Sequence, residues 1–593
     1  MQTRLIRLRF RRGLRQRQRQ MEGLSTQAEE NINQHLLKRF NRLAGIRRFL
    51  MAWVGLLVLL IGGLVAQNLS LSGYFQTLQP VPGGIYKEGM MGRFTTANPL
   101  FVRTSADAAV SRLMFAGLLT QNQRGQLVGD LASDYSVDTH GTTYTVHLRP
   151  HLTWQDGRPL TSADVVFTFQ SIENPDVQSP LFGSWQGIQV SATDASTVVF
   201  KLPDILASFP YNLTTGILPQ HLLSKVPAVD LRSTDFNTLN PIGAGPFVWQ
   251  GVQVSGNDPT STEQQIGLAA FRGFHTGPPK LQKFIIQVYA DQKSLIHDFK
   301  TGQLNAIAGV QDVPKSVKTG KGVVVHDLRL RAANMVFFKT SSGLLADKYV
   351  RAALVQAANV PAIINGLDYP TLAVREPLLP DQLAYNPVYV QAGFNLTAAK
   401  KSLDADGWRI GADGIRHKAN QSLAFNLAVS DDPEYLKDAR QLARQWHAAG
   451  ADVTVRSEAA SDFQNNLSQH DYDAILDGIT IGTDPDVFVY WDSSQADIRS
   501  ANRLNLSEYK NTTADVALEA GRTRLSPALR IIKYRPFLKE WQHDNPALGL
   551  YQPRLLYLTN GPVAGLTDKS LTNPEDRFNN VQNWEIRLAK VTD

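Results

Sequence analysis

The side chains with which this chain could do acid–base, nucleophilic or metal chemistry are 53 Asp and Glu, 12 His and no Cys. Without cysteine there is no thiol nucleophile, no disulfide framework and no thiolate metal site. The histidines are scattered, and no His-Glu-x-x-His stretch would set two of them on one helix face around zinc. No Gly-x-Ser-x-Gly turn presents a serine nucleophile, and no Gly-x-x-x-x-Gly-Lys-Ser/Thr loop cradles a nucleotide phosphate. Carboxylates are abundant, but so many acids make accidental neighbours common, and no pair stands out for general acid–base work. No catalysis, no cofactor and no metal site is expected.

The elements that must carry these residues fall into two unlike parts. Residues 49–66 hold no charge, and eighteen apolar residues at 1.5 Å each reach about 27 Å, the lower end of a bilayer crossing. Thirteen of the 60 Lys and Arg and three of the 53 acids precede residue 49, so residues 1–48 form a tail of about +10. The chain beyond is about −3, and the net +7 of the whole is therefore a property of the tail. So basic a flank resists translocation, which predicts a cytoplasmic N-terminus, a single transmembrane helix at 49–66 and a large extracytoplasmic part. The tail suits lipid headgroups or plain topogenesis; no fold motif or aromatic interleaving supports nucleic acid. Leu64-Val65-Ala66 is a mediocre cleavage site after a long leader, so the anchor is expected to remain. Residues 67–82, ending Gln79-Pro80-Val81-Pro82-Gly83-Gly84, read as a stalk.

The roughly 525 residues that follow exceed what one core organises, so two or three lobes are expected. Tyr144–Leu148 alternates as a strand, and Ser191–Leu202 reads as a turn followed by a strand. Thr161 with Asp164 forms a capping-box pattern ahead of a helical stretch, Val165–Ser171. Helical spacing recurs over Asp347–Ile364, Leu436–His447 and Val516–Tyr534, where Pro527 is a candidate break. Mixed strands and helices predict α/β lobes.

Several landmarks, in order, carry a resemblance. They include Gly84-Ile-Tyr-Lys-Glu-Gly, Asn98-Pro-Leu, Phe115-Ala-Gly-Leu-Leu, Leu131-Ala-Ser-Asp-Tyr, and the long run Tyr144 to Phe169 with Trp154-Gln-Asp156-Gly157-Arg-Pro at its centre. Pro241-Ile-Gly-Ala-Gly245-Pro-Phe-Val-Trp249, Val350-Arg-Ala-Ala-Leu, Ala398–Trp408, Tyr509, Asn511 and Asp515 follow. Together they resemble the extracellular solute-binding proteins of peptide ABC importers, the oligopeptide/dipeptide-binding family. The residues themselves read as architecture. Asp156-Gly157 suits a tight turn, Trp154 packs an apolar face, and Gly243-Ala-Gly245 suits close backbone approach; Trp249 is likewise structural.

The resemblance implies a bilobal periplasmic-binding-protein-like α/β fold with an additional domain, three domains in all, preceded by the transmembrane helix. Domain I would comprise 83–115, 225–328 and 548–590, domain II 116–224 and domain III 329–547. Crossovers would lie near Ala333–Phe338 and Ala547–Tyr551. The lobes would close on a solute by a hinge, as a monomer, and deliver it to ABC permease subunits.

One departure bears on the ligand. Peptide-binding members pair the ligand's α-ammonium with a carboxylate in a Trp-x-x-Asp segment just before an acidic-Pro pair. Aligned on Asp484-Pro485, that carboxylate position holds Ile481 and the Trp position holds Gly478. Asp477, Asp484 and Asp486 are nearby alternatives; Asp484 equally suits a cap on the next turn. An apolar residue cannot neutralise a buried ammonium, so either another acid does so or the ligand lacks a free amine. Tyr472, Phe488, Tyr490 and Trp491 are cleft or core aromatics, and Arg351 and Arg375 either meet a ligand carboxylate or lie on the surface. Free-amine peptide is the first reading. Oligosaccharide, metal chelate, or a receptor or adhesion module with the same fold are the alternatives.

Overall fold

A computed structural model describes residues 47–72, 76–122, 124–256, 262–310, 313–500, 503–568 and 570–592. The basic segment before Arg47 lies outside the described residues. The chain forms two compact units, residues 1–79 with 588–593 and residues 80–587.

In the first unit a helix runs Arg47–Ser72. Its stretch Phe49–Gln67, 19 residues with mean hydropathy 2.6, has none of its surface buried by protein. The helix continues past the apolar run into the segment expected as a stalk. The rest of that segment includes a strand, Gln76–Val81, paired with Arg587–Thr592. Backbone pairing that joins two ends of the chain is invisible in local sequence.

The second unit is built on three main sheets. A seven-stranded sheet has the order Val323–Arg329, Arg554–Asn560, Ala306–Ala308, Ile85–Met91, Lys283–Tyr289, Glu263–Ala270, Phe247–Ser255. A five-stranded sheet has the order Asp452–Glu458, Ala424–Ser430, Ala474–Thr480, Ala332–Phe338, Ala547–Tyr551. The third is antiparallel and four-stranded: Ala132–Val137, Thr143–Leu148, Thr197–Lys201 and Gln189–Asp194. The strand expected near 197–202 is thus half of a hairpin, since Gln189–Asp194 pairs with it.

The chain passes from the seven-stranded to the five-stranded sheet through Leu330-Arg331 and returns through Gln552-Pro553. The two passages are bonded side by side: Leu330 N donates to Pro553 O at 2.9 Å, and Gln552 Nε2 to Leu330 O at 2.9 Å. Ala332–Phe338 is buried along its whole length because the five-stranded sheet has core on both faces. Val336 and Phe338 pack with Ala474 and Leu476 on one side. Met335 and Phe337 pack with Ile475, Ile479, Trp491 and Trp541 on the other, the period-2 alternation of a strand.

Helix boundaries follow side-chain chemistry. The helix Ser162–Glu173 starts where expected, with Thr161 N donating to Asp164 Oδ2 at 2.9 Å. Leu436–His447 lies inside Pro433–Ala449. The single helix expected over 347–364 is two, Lys348–Ala357 and Val360–Gly366, because Asn359 caps a new start and Pro361 occupies its first turn. Pro527 likewise begins a helix, Pro527–Asp544, after Thr512–Arg522 ends.

Candidate ligand cleft

The crossovers set two lobes face to face, and the space between them is lined from both. The larger cavity, about 420 Å3, has Gly309, Val310 and Leu556 on one wall. Asn334, Tyr369, Glu434, Tyr435 and Gly478–Thr480 form the other. A second cavity of about 240 Å3 is lined by Ile481–Asp484, with Arg112, Gln121, Tyr211 and Thr572 also in its wall.

Strand Ala474–Thr480 delivers the central residues. Asn334 stands opposite Gly478, and Tyr435 Oη donates to Asn334 Oδ1 at 3.0 Å. A Cβ at residue 478 would lie 2.7 Å from Tyr435 Oη and 3.0 Å from Asn334 Oδ1, so the absent side chain leaves room for this pair at the cavity wall. Asn334 Nδ2 is buried and, among the described residues, has no acceptor.

The acids differ sharply. Burial pushes the Asp477 carboxyl up to about 6, against a lowering by the Gly478 N–H. No Lys, Arg or His nitrogen among the described residues lies within 4 Å of it (the ion pairs all fall elsewhere). Asp484 is neutralised: its oxygens accept from Arg530 at 2.7 and 2.6 Å, and its Oδ1 also caps Asp486 N. Asp486 accepts from Ser208 Oγ at 3.0 Å and lies 3.3 Å from Arg522. Beside the larger cavity Tyr551 Oη lies 2.5 Å from Asp438 Oδ2 and 2.9 Å from Glu434 Oε1, and Tyr369 Oη donates to Glu434 Oε1 at 2.8 Å. Burial raises both carboxyls, Asp438 to about 7.

Ile481 is 6 % exposed and packs in the core beside the smaller cavity. Phe488 is half-buried, with the Arg522 guanidinium 4.2 Å above its ring. Trp491 is a core residue and not a cleft one. It is fully buried, edge-on to Trp541 at 5.5 Å and tilted against Phe337. Tyr472 is also core, its hydroxyl on Leu506 O, whereas Tyr490 is half-buried and donates to Thr480 O. Arg351 lines neither cavity and is not on the surface. It is buried and donates to the carbonyls of Leu345, Ala346, Asp544 and Asn545, closing the end of the helix Pro527–Asp544. Arg375 is half-buried and donates to Gln391 O.

The remaining motif residues lie away from the cleft. Trp154 is buried against His221, and Asp156 accepts from Arg158 N and lies 2.8 Å from His221 Nε2. Gly157 takes φ +86° in that turn. Gly245 N donates to Met114 O at 2.8 Å, a contact a side chain would block. Trp249 is half-buried against Phe94. Sequence reasoning missed Arg331 and Glu434: each stands two residues before an expected element, but Glu434 reaches the larger cavity, and Arg331 the residues beside it, only through folding.

Two lobes joined by paired crossovers, with a cleft between them lined by polar and apolar groups from both, have the architecture of a solute-binding protein. Residues 126–500 match the model of bacterial extracellular solute-binding proteins, family 5 (middle region), and the chain belongs to that family. It is a non-catalytic extracytoplasmic component of an ABC importer. The oligopeptide-binding protein AppA of Bacillus subtilis is 25% identical over 486 residues, 80% of this chain and 87% of that protein. The structure of B. subtilis AppA in complex with a nonapeptide superimposes with TM-score 0.70 at 23% identity, covering 86% of this chain and 100% of that one. NikZ of Campylobacter jejuni, in complex with Ni(L-His), gives TM-score 0.72 at 22% identity, covering 85% and 99%.

Proposed function

We propose that this protein captures oligopeptides outside the cytoplasmic membrane, held there by the helix Arg47–Ser72 with its N-terminus in the cytoplasm. The 13 basic residues before Phe49 support that orientation. The lobes close over the ligand and present it to the permease. The observation that carries the peptide reading is Asp477, a desolvated carboxylate next to the cavity-lining Gly478, with no Lys, Arg or His nitrogen within 4 Å among the described residues. A ligand ammonium would supply that partner, in place of the acid missing at Ile481. AppA, the relative with a bound nonapeptide, supports the same class.

Deleting the gene and following uptake of labelled peptides tests this. Loss of uptake, restored by the wild-type chain, is expected. Undiminished uptake together with a loss of adhesion or signalling would overturn the transport role.

A further inference from the structure

The register of the five-stranded sheet sets Arg331 beside Ile481. Ala332 pairs with Thr480, and both Ile481 N and Gly482 N donate to Arg331 O at 2.9 Å. The Arg331 side chain is 8 % exposed. Its Nη2 lies 2.8 Å from Asp381 Oδ2, but Asp381 is half exposed, so water screens that pair. Arg331 Nε and Nη1 are buried and, among the described residues, have no acceptor at all. A guanidinium has five N–H donors, and leaving buried charged donors unfilled is costly.

The surroundings do not fill them. A Cβ at Gly125, on the hairpin that follows Gln121, would lie 3.3 Å from Arg331 Nη2, so this glycine packs against the guanidinium and offers it no side-chain acceptor. In the adjoining cavity Asp484 and Asp486 are already engaged by Arg530 and Arg522, and Asp576 accepts from Asn573 N. Arg112, which lines the same cavity, binds Asn579 and Thr120 and has no carboxylate within 4 Å among the described residues.

We propose that this end of the cleft receives an anionic group of the ligand, a carboxylate held by Arg331 Nε and Nη1. The subsite where the family pattern places an acid would then have reversed polarity, and a bound peptide would direct its carboxylate toward Ile481. The inference rests on the peptide reading above.

Calorimetry on the detergent-solubilised full chain tests it, with mixed-sequence pools of three to five residues supplied as free acids and as C-terminal amides. The free-acid pool is expected to bind about tenfold or more tightly than the amide pool, the effect of one charge-assisted pair. Arg331→Gln is expected to bring the acid pool to the amide level and leave the amide pool within about twofold. Equal binding of the two pools by the wild type overturns the inference and leaves peptide capture standing. So does an undiminished acid preference in Arg331→Gln. Should Arg331→Gln not fold, the wild-type comparison alone decides. Binding of neither pool overturns the peptide reading, and the inference with it.

Discussion

Asp477 and Asp484 are seven residues apart and do opposite things. Arg530 engages both oxygens of Asp484, which ties down the start of the segment that follows the cleft strand. Asp477 has no such partner, and burial holds it near 6. Folding therefore favours its protonated form, and ionising it as pH rises from about 4 to 6 costs stability. An ammonium in contact reverses the preference and pulls the pKa down. Affinity for an amine-bearing peptide is accordingly expected to rise about tenfold from pH 5 to 7, with proton release, and to level off above. Titration calorimetry in buffers of different ionisation enthalpy reads both quantities. Asp477→Asn is expected to bind more weakly at pH 7 and to lose the slope; an unchanged slope would place the titrating group elsewhere, on Glu434 or Asp438. None of this is legible from spacing. The sequence marks both acids as candidates equally, and only the fold reveals that an arginine 46 residues downstream reaches one of them.

At the scale of elements, local chemistry was read more reliably than partnership. The capping box at Thr161 and Asp164, the turn at Gly157 and the close approach at Gly245 all depend on residues within a few positions or on a missing side chain. Two alanine substitutions separate the last two causes. At Gly157 an added Cβ meets open space and bears only the positive φ, so Gly157→Ala is expected to cost about 1–2 kcal/mol. At Gly245 the Cβ would sit 2.5 Å from Met114 C, between backbone segments that cannot yield, and Gly245→Ala is expected to cost several-fold more or to prevent folding. Comparable denaturation midpoints for the two would contradict that assignment. Long-range pairing escapes such reading. Glu88 on the strand Ile85–Met91 and Arg577 near the C-terminus are both buried and bonded to each other, with Tyr557 Oη on Glu88 at 2.7 Å. Arg577→Met strands an uncompensated carboxylate and is expected to cost about 3–5 kcal/mol in urea unfolding. Trp491 and Arg351 teach the same lesson: each has a residue type suited to ligand contact, yet neighbours from distant helices bury both.

For the whole molecule, three features set the mode of action. An unburied apolar helix of membrane-spanning length precedes the lobes, the lobes are joined by two adjacent crossovers, and the cleft between them is lined by both. The apolar run, the mixed α/β pattern and the family landmarks were all legible in the sequence, because each is local or repeats at a fixed order along the chain. The pairing of Gln76–Val81 with Arg587–Thr592 was not, since it joins residues more than 500 positions apart. Most direct is to purify the full chain in detergent from its host and identify what the cleft carries, by native mass spectrometry and then after denaturation. Peptides of mixed sequence and restricted length, with free amino and carboxyl ends, are the expected cargo. A sugar, a metal chelate or amine-blocked peptides released in stoichiometric amount would contradict capture through Asp477.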